Sequence, residues 1–199
     1  MNLRMDADKD DDNAKPQAIG RKLEDALSES RYVLITGEIN DKVARDATSR
    51  LLALSQISDD PINIIISSPG GHVESGDMIH DVIRFIKPEV RAIGSGWVAS
   101  AGALIYVGAP VEQRFCLPNT RFLLHEPRGG VGGQASDVEI QANEIRKMRE
   151  RFYGIFADAT GQTLERVQRD MERDFWLNTE EAKEYGLLGK VISSVDDLG

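Results

Sequence analysis

Residues 62–71 read INIIISSPGG, an isoleucine run broken once by Asn63 and closed by Ser-Ser-Pro-Gly-Gly. So short a run of β-branched residues reads as a buried strand, and Pro-Gly-Gly ends it in a turn. Upstream, Tyr32-Val-Leu-Ile-Thr36 reads as a second buried strand, with a short helix before it over Arg21–Ser28. Between the two strands, Val43, Ala47, Leu51 and Leu54 recur at helical spacing within 41–55. Downstream, Ile79, Val82, Ile83 and Ile86 share one face of a helix over Met78–Ile86, which stops before Pro88. Val90-Arg-Ala-Ile93 is a third strand, followed by Gly-Ser-Gly and an apolar helix that begins near Val98. Strands alternating with helices define an α/β chain with a mainly parallel sheet. In such sheets functional groups gather at the C-terminal ends of the strands.

Bulk properties narrow the function. A chain of 199 residues, 41% hydrophobic, suits one domain. We read residues 20–199 as that domain and the acidic residues 1–19 as a mobile tail. The net charge of −9 opposes binding to nucleic acid or to an anionic membrane surface. The single cysteine, Cys116, excludes an intrachain disulfide and a Cys-rich metal site, and reads as a buried hydrophobe. With no apolar run near the roughly 20 residues of a membrane span and no secretory h-region, the expected location is cytoplasmic.

The stretch GWVASAGAL, Gly96–Leu104, carries one hydroxyl among small apolar residues. Ser100 is either bonded within its own helix or a nucleophile held at a helix start. A nucleophile needs a base, a group that orients the base, and donors for the oxyanion. Of three histidines, His80 lies in an amphipathic helix and reads as a surface or rim residue. His72 follows Gly70-Gly71, and His125 ends the strand Arg121–His125; spacing favours His125 only slightly. Between Gly133 and Gly161, Val138, Ile145 and Phe152 recur at seven, flanked by Ala142, Met148, Ile155 and Phe156. That apolar stripe either covers the sheet or, after the flexible Arg128–Gly133 segment, leaves the body and packs on another subunit.

Several stretches together carry a resemblance: Ser67–Gly71, Gly96–Gly102, Arg114-Phe-Cys-Leu-Pro-Asn119, His125-Glu-Pro127, Gly133–Ile140, Glu172-Arg-Asp174 and Glu180–Leu187. In this order and over roughly residues 30–195 the chain resembles the ClpP family, the proteolytic subunit of the Clp protease. The resemblance implies a ClpP/crotonase-like repeated ββα spiral with a protruding handle helix over about 128–161. It implies a serine endopeptidase in which Ser100 is the nucleophile, His125 the base and Asp174 its orienter. The backbone N–H groups of Gly71 and Ala101 match the family's oxyanion hole, and Arg173 its arginine coupling inter-ring contact to the triad.

By the same resemblance the partners are further copies of the chain in stacked heptameric rings, an AAA+ ATPase unfoldase, polypeptide substrates and a second ClpP-like subunit. No cofactor or metal is implied; ATP is used only by the partner. The chain departs from the pattern at its acidic N-terminus and at Asn63 and Ile65, where the ATPase-docking cleft often has tyrosines, while Phe85 keeps an aromatic. Glu126 stands where glutamine is common, and His72 and Glu74 add charge beside Gly71. Two rival readings are a crotonase-type acyl-CoA enzyme and a catalytically weak or regulatory ring subunit.

Overall fold

A computed structural model describes residues 22, 25, 26, 29–128, 130 and 132–198. The expected acidic tail lies outside them, and the described residues of the helix expected over 21–28 are helical. The chain then runs β1 (Tyr32–Thr36), α1 (Asp41–Ile57), β2 (Ile62–Ser68), α2 (Val73–Phe85), β3 (Val90–Ala99) and α3 (Ala101–Tyr106). It continues through β4 (Arg114–Cys116), β5 (Arg121–Leu124), α4 (Ala135–Thr160), α5 (Leu164–Met171), β6 (Phe175–Leu177), α6 (Thr179–Glu184) and β7 (Lys190–Val191). Short 3-10 turns sit at Val111–Gln113 and Val195–Leu198. The parallel strands lie in the order β1-β2-β3-β4-β7, so the chain winds along the sheet as a spiral, and β5 with its antiparallel neighbour β6 branches from β3.

The period of two sets the faces of the sheet. Val33, Ile35, Ile62, Ile64, Ile66 and Ala92 point into the main core. Alternate residues Tyr32, Ile65, Ile93 and Phe115 form a smaller cluster with Ile192 and Leu198 of the C-terminal turn. Asn40 caps α1 by accepting from the N–H of Val43 at 3.0 Å.

Two boundaries differ from the expectations. Helix α2 begins at Val73, five residues before Met78, because it starts directly after the glycine turn; Gly76 fits inside it where a Cβ would come 3.2 Å from Ala101. Strand β3 continues to Ala99, through the segment expected to be a turn and the start of a helix. Its ladder with β2 jumps from Ile66↔Gly94 to Ser68↔Val98, a bulge that Gly94 and Gly96 (φ 68°) permit. Before the bulge β3 pairs with β4, and after it with β5. That change of neighbour is a tertiary event that the local pattern does not record.

His80 is also not a rim residue. It is 6% exposed, and its backbone lies 3.2 Å from where a Cβ on Gly108 would sit, so the face of α2 that reads as amphipathic is covered by the chain after α3. Cys116 is fully buried as expected, and burial pushes its thiol up to about 11.

The long helix α4 has two characters. Phe152, Tyr153 and Phe156 are buried in the body, where Phe152 and Phe156 stack at 5.0 Å. From Ala135 to Arg151 no residue is buried, and Ile140 is 62% exposed. The outer half is therefore a protruding handle, and the inner half is core.

Candidate active site

The strand ends assemble the site. Ser100 caps α3 with φ 54° and ψ −121°, a conformation rare for a residue with a side chain and worth about 1–3 kcal/mol of strain. Its N–H donates to Leu123 O at 2.9 Å, its carbonyl accepts from Leu104 N at 3.0 Å, and both bonds hold the turn. Such a strand-to-helix turn lifts the hydroxyl out of the helix interior. Among the described residues Ser100 Oγ makes no hydrogen bond, so the reading as a serine bonded within its own helix does not hold.

His125 follows the last residue of β5, and Asp174 precedes the first residue of β6. The antiparallel register Leu124↔Phe175, carried one step further, sets His125 opposite Asp174. The contact is made: His125 Nδ1 lies 3.0 Å from Asp174 Oδ1. Arg128 Nη2 donates to the same oxygen. The His125 hydrogen bond, with the Arg128 charge behind it, holds the Asp174 carboxyl below its ordinary range. The carboxylate is thus ionised throughout the neutral range and able to accept from the imidazole.

A second wall comes from the turn after β2. Ser68 Oγ accepts from Gly70 N at 3.0 Å and donates to Gly37 O at 2.6 Å. Ile39 then bridges the turn: its N–H donates to Gly70 O at 2.8 Å and its carbonyl accepts from His72 N at 2.9 Å. Between these, the N–H of Gly71 has no partner among the described residues, and neither has that of Ala101 at the start of α3. Gly71 (φ 145°) tolerates no side chain, because a Cβ would lie 2.2 Å from Ile39 O. Gly70 packs on the Ser100 turn, its would-be Cβ 2.5 Å from Ser100 Cβ.

The other candidates lie around this centre without joining it. His72 Nδ1 is 2.8 Å from Ser75 Oγ, which donates to Asp41 at 2.8 Å, and His72 Nε2 is 3.2 Å from Glu74. With Gly71, Arg128, Ile145 and Met148, His72 and Glu74 line a cavity of about 200 Å³ beside the site. Arg173 is exposed and has no ion pair or hydrogen bond among the described residues. Glu126 turns toward the handle, accepting from Tyr153 Oη at 2.8 Å and from Arg149 Nη1 at 3.4 Å. Sequence reasoning missed Arg128; its cation three residues after His125 was the available signal.

An α/β spiral with Ser, His and Asp at adjacent strand ends, beside two free backbone donors, has the form of a serine hydrolase. Comparison with known proteins narrows the class. The sequence model of the Clp protease family matches residues 17–195. An ATP-dependent Clp protease proteolytic subunit from Paracoccus denitrificans is 62% identical over 173 residues, 87% of each chain. Subunit 3 of that name from Rhizobium etli is 55% identical over 194 residues, 98% of this chain and all of its own length. The solved structure of ClpP1 from Listeria monocytogenes superimposes with a TM-score of 0.81 at 50% identity, covering 89% of this chain and 99% of that one. This chain belongs to the Clp protease family.

Proposed function

We propose that the chain is a serine endopeptidase subunit that cleaves unfolded polypeptides and short peptides with Ser100, His125 and Asp174. The observation that carries the reading is the 3.0 Å contact of His125 Nδ1 with Asp174, set beside a serine on a strained strand-to-helix turn. Ser100 Oγ attacks the scissile carbonyl carbon while His125 Nε2 takes its proton. Asp174 fixes the imidazole through Nδ1 and stabilises the imidazolium. The carbonyl oxygen becomes an oxyanion that the N–H groups of Gly71 and Ala101 receive. His125 then gives the proton to the leaving amine, and water repeats the sequence on the acyl-enzyme.

The assembly belongs to the same proposal: heptameric rings stacked in pairs through the outer half of α4, an AAA+ ATPase unfoldase that alone uses ATP, and a cytoplasmic location. Arg173, exposed beside Asp174 and without a partner among the described residues, suits a contact made across the rings. Among the described residues no helix is long and apolar enough to cross a membrane. A second ClpP-like subunit is the further partner, supported by the docking face. There Tyr32, Ile65, Ile93, Leu117, Ile192 and Leu198 line a cavity of about 280 Å³. Asn63, on β2 beside it, holds a buried Oδ1 with no hydrogen-bond partner among the described residues.

The second reading, a catalytically weak or regulatory subunit, has one observation in its favour: Ser100 Oγ is not bonded to His125. Catalytic hydrogen bonds are commonly long before substrate binds, and the first reading is preferred. The test is a serine-directed fluorophosphonate with a fluorogenic peptide. Wild-type protein is expected to be labelled and active, and Ser100→Ala to be neither while it still assembles. An assembled wild type that is inert to both reagents establishes the second reading.

A further inference from the structure

Two groups meet at one oxygen of Asp174. His125 Nδ1 lies 3.0 Å from Oδ1, and the Arg128 guanidinium donates to that same atom rather than to Oδ2. We infer that Arg128 is a positioning residue that shares Asp174 with His125 and so weakens the carboxylate's hold on the imidazole. The inference rests on the reading of His125 and Asp174 as base and orienter.

The physical argument concerns charge. In the step that forms the tetrahedral intermediate, the imidazole becomes a cation, and Asp174 stabilises it. A guanidinium on the shared oxygen adds a second cation a few ångströms away and takes part of the carboxylate's field. Two like charges a few ångströms apart in water repel only weakly. Both Arg128 and Asp174 are substantially exposed, with side chains 60% and 47% accessible, so bulk screening applies. Arg128 thus opposes the imidazolium modestly, both in the resting enzyme and in the transition state.

The nearest other charges around the pair, Glu126, Glu74 and His72, are already engaged. Glu126, next to His125, is held by Tyr153 and Arg149 of α4. Glu74 and His72, from the start of α2, face Arg128 across the cavity, and they contact each other, with His72 also 3.3 Å from Asp41. Glu172 and Arg173 flank Asp174 in sequence and are exposed. Of all these, Arg128 alone touches the triad, and it stands at the mouth of the glycine-rich segment that leads into the handle.

The experiment measures kcat and KM for peptide hydrolysis against pH, at low salt, for the full-length assembled protein and for Arg128→Met, Arg128→Gln and Arg128→Lys. Removing the charge with Met or Gln is expected to move the acid limb of the profile up by about half a pH unit, the scale of a weak, solvent-screened repulsion. The same change is expected to raise the plateau kcat about two-fold with KM unchanged. The Lys variant keeps a cation in reach and is expected to restore the wild-type limb. Ser100 labelling by fluorophosphonate is followed in every variant, so a failure of the triad reading itself is seen separately as labelling lost from Ser100. An unmoved acid limb in the Met and Gln variants, with Ser100 labelled normally, overturns the inference. So does a rise in KM alone, which makes Arg128 a substrate contact of the neighbouring cavity.

Discussion

At the residue scale, the site depends on where a side chain is forbidden as much as on where one is present. Gly70 and Gly71 bring the turn after β2 against Ser100 and Ile39 at distances no Cβ allows. Gly71→Ala is expected to part the bridge to Ile39 and turn the Gly71 N–H away from the oxyanion. Loss of one such donor lowers the rate about 100- to 1000-fold, and circular dichroism should show the fold retained. A Gly71→Ala enzyme of normal kcat places the donor elsewhere. His72 has a different part. It lines the adjoining cavity and bonds to Ser75, so His72→Ala is expected to raise KM and leave kcat nearly unchanged, the mark of an interaction made equally in ground and transition states. A fall in kcat as steep as that of His125→Ala would move the base to His72.

At the element scale, α4 has two uses, with stripe residue Phe152 in its inner half and Ile140, which lies off the stripe, in its outer half. Phe152 is buried at 2% exposure, whereas Ile140 is open to solvent. Phe152→Asp places an unpaired carboxylate in the core and is expected to cost at least the roughly 3–5 kcal/mol of a Phe→Ala change, read as a large drop in Tm. Ile140→Asp is expected to leave Tm within a few degrees and to separate stacked rings into single rings by analytical ultracentrifugation. A two-ring particle at Ile140→Asp removes this residue from the interface. The C-terminal turn is the other informative element. Asp197 Oδ2 accepts from the N–H groups of Ser193 and Ser194 at 2.9 and 3.0 Å, and these bonds hold its carboxyl below the ordinary 3.8. With the folded value depressed, the stabilisation is whole above about pH 4 and is lost as pH falls through that lower value. Asp197→Ala is therefore expected to free Leu198 from the sheet at pH 7, with increased binding of an apolar dye; unchanged dye binding shows that the turn holds without it.

At the scale of the whole molecule, the two faces of the sheet are covered differently. One is filled by α1, α2 and α3; the other carries only the small cluster under the C-terminal turn. An apolar ATPase loop docking there meets the amide of Asn63 in place of an aromatic anchor. A symmetric ring repeats any weakness at every site. Rings of this chain alone, given an ATPase, ATP and a tagged folded substrate, are expected to degrade it slowly, and a second ClpP-like ring to restore the rate. Rapid degradation by the homomer removes the need for that partner.

What the sequence determined by itself is what local chemistry determines. Apolar runs such as YVLIT and INIII mark strands because short runs rich in β-branched residues suit a pleated, half-buried surface, and Ser-Pro-Gly-Gly marks the turn because only glycine fits there. The candidates Ser100, His125 and Asp174 are legible through their motifs, which give their chain order. Tertiary structure decided the rest, because it depends on pairing between distant segments. The bulge that carries β3 past Gly96 to Ala99 exists because β5 supplies a new neighbour, and without it Ser100 would sit inside a helix rather than at its cap. His80 and Phe152 are buried because elements far along the chain cover them. Arg128 reaches Asp174 because β5 and β6 are antiparallel, which brings residues 46 apart in sequence to one oxygen.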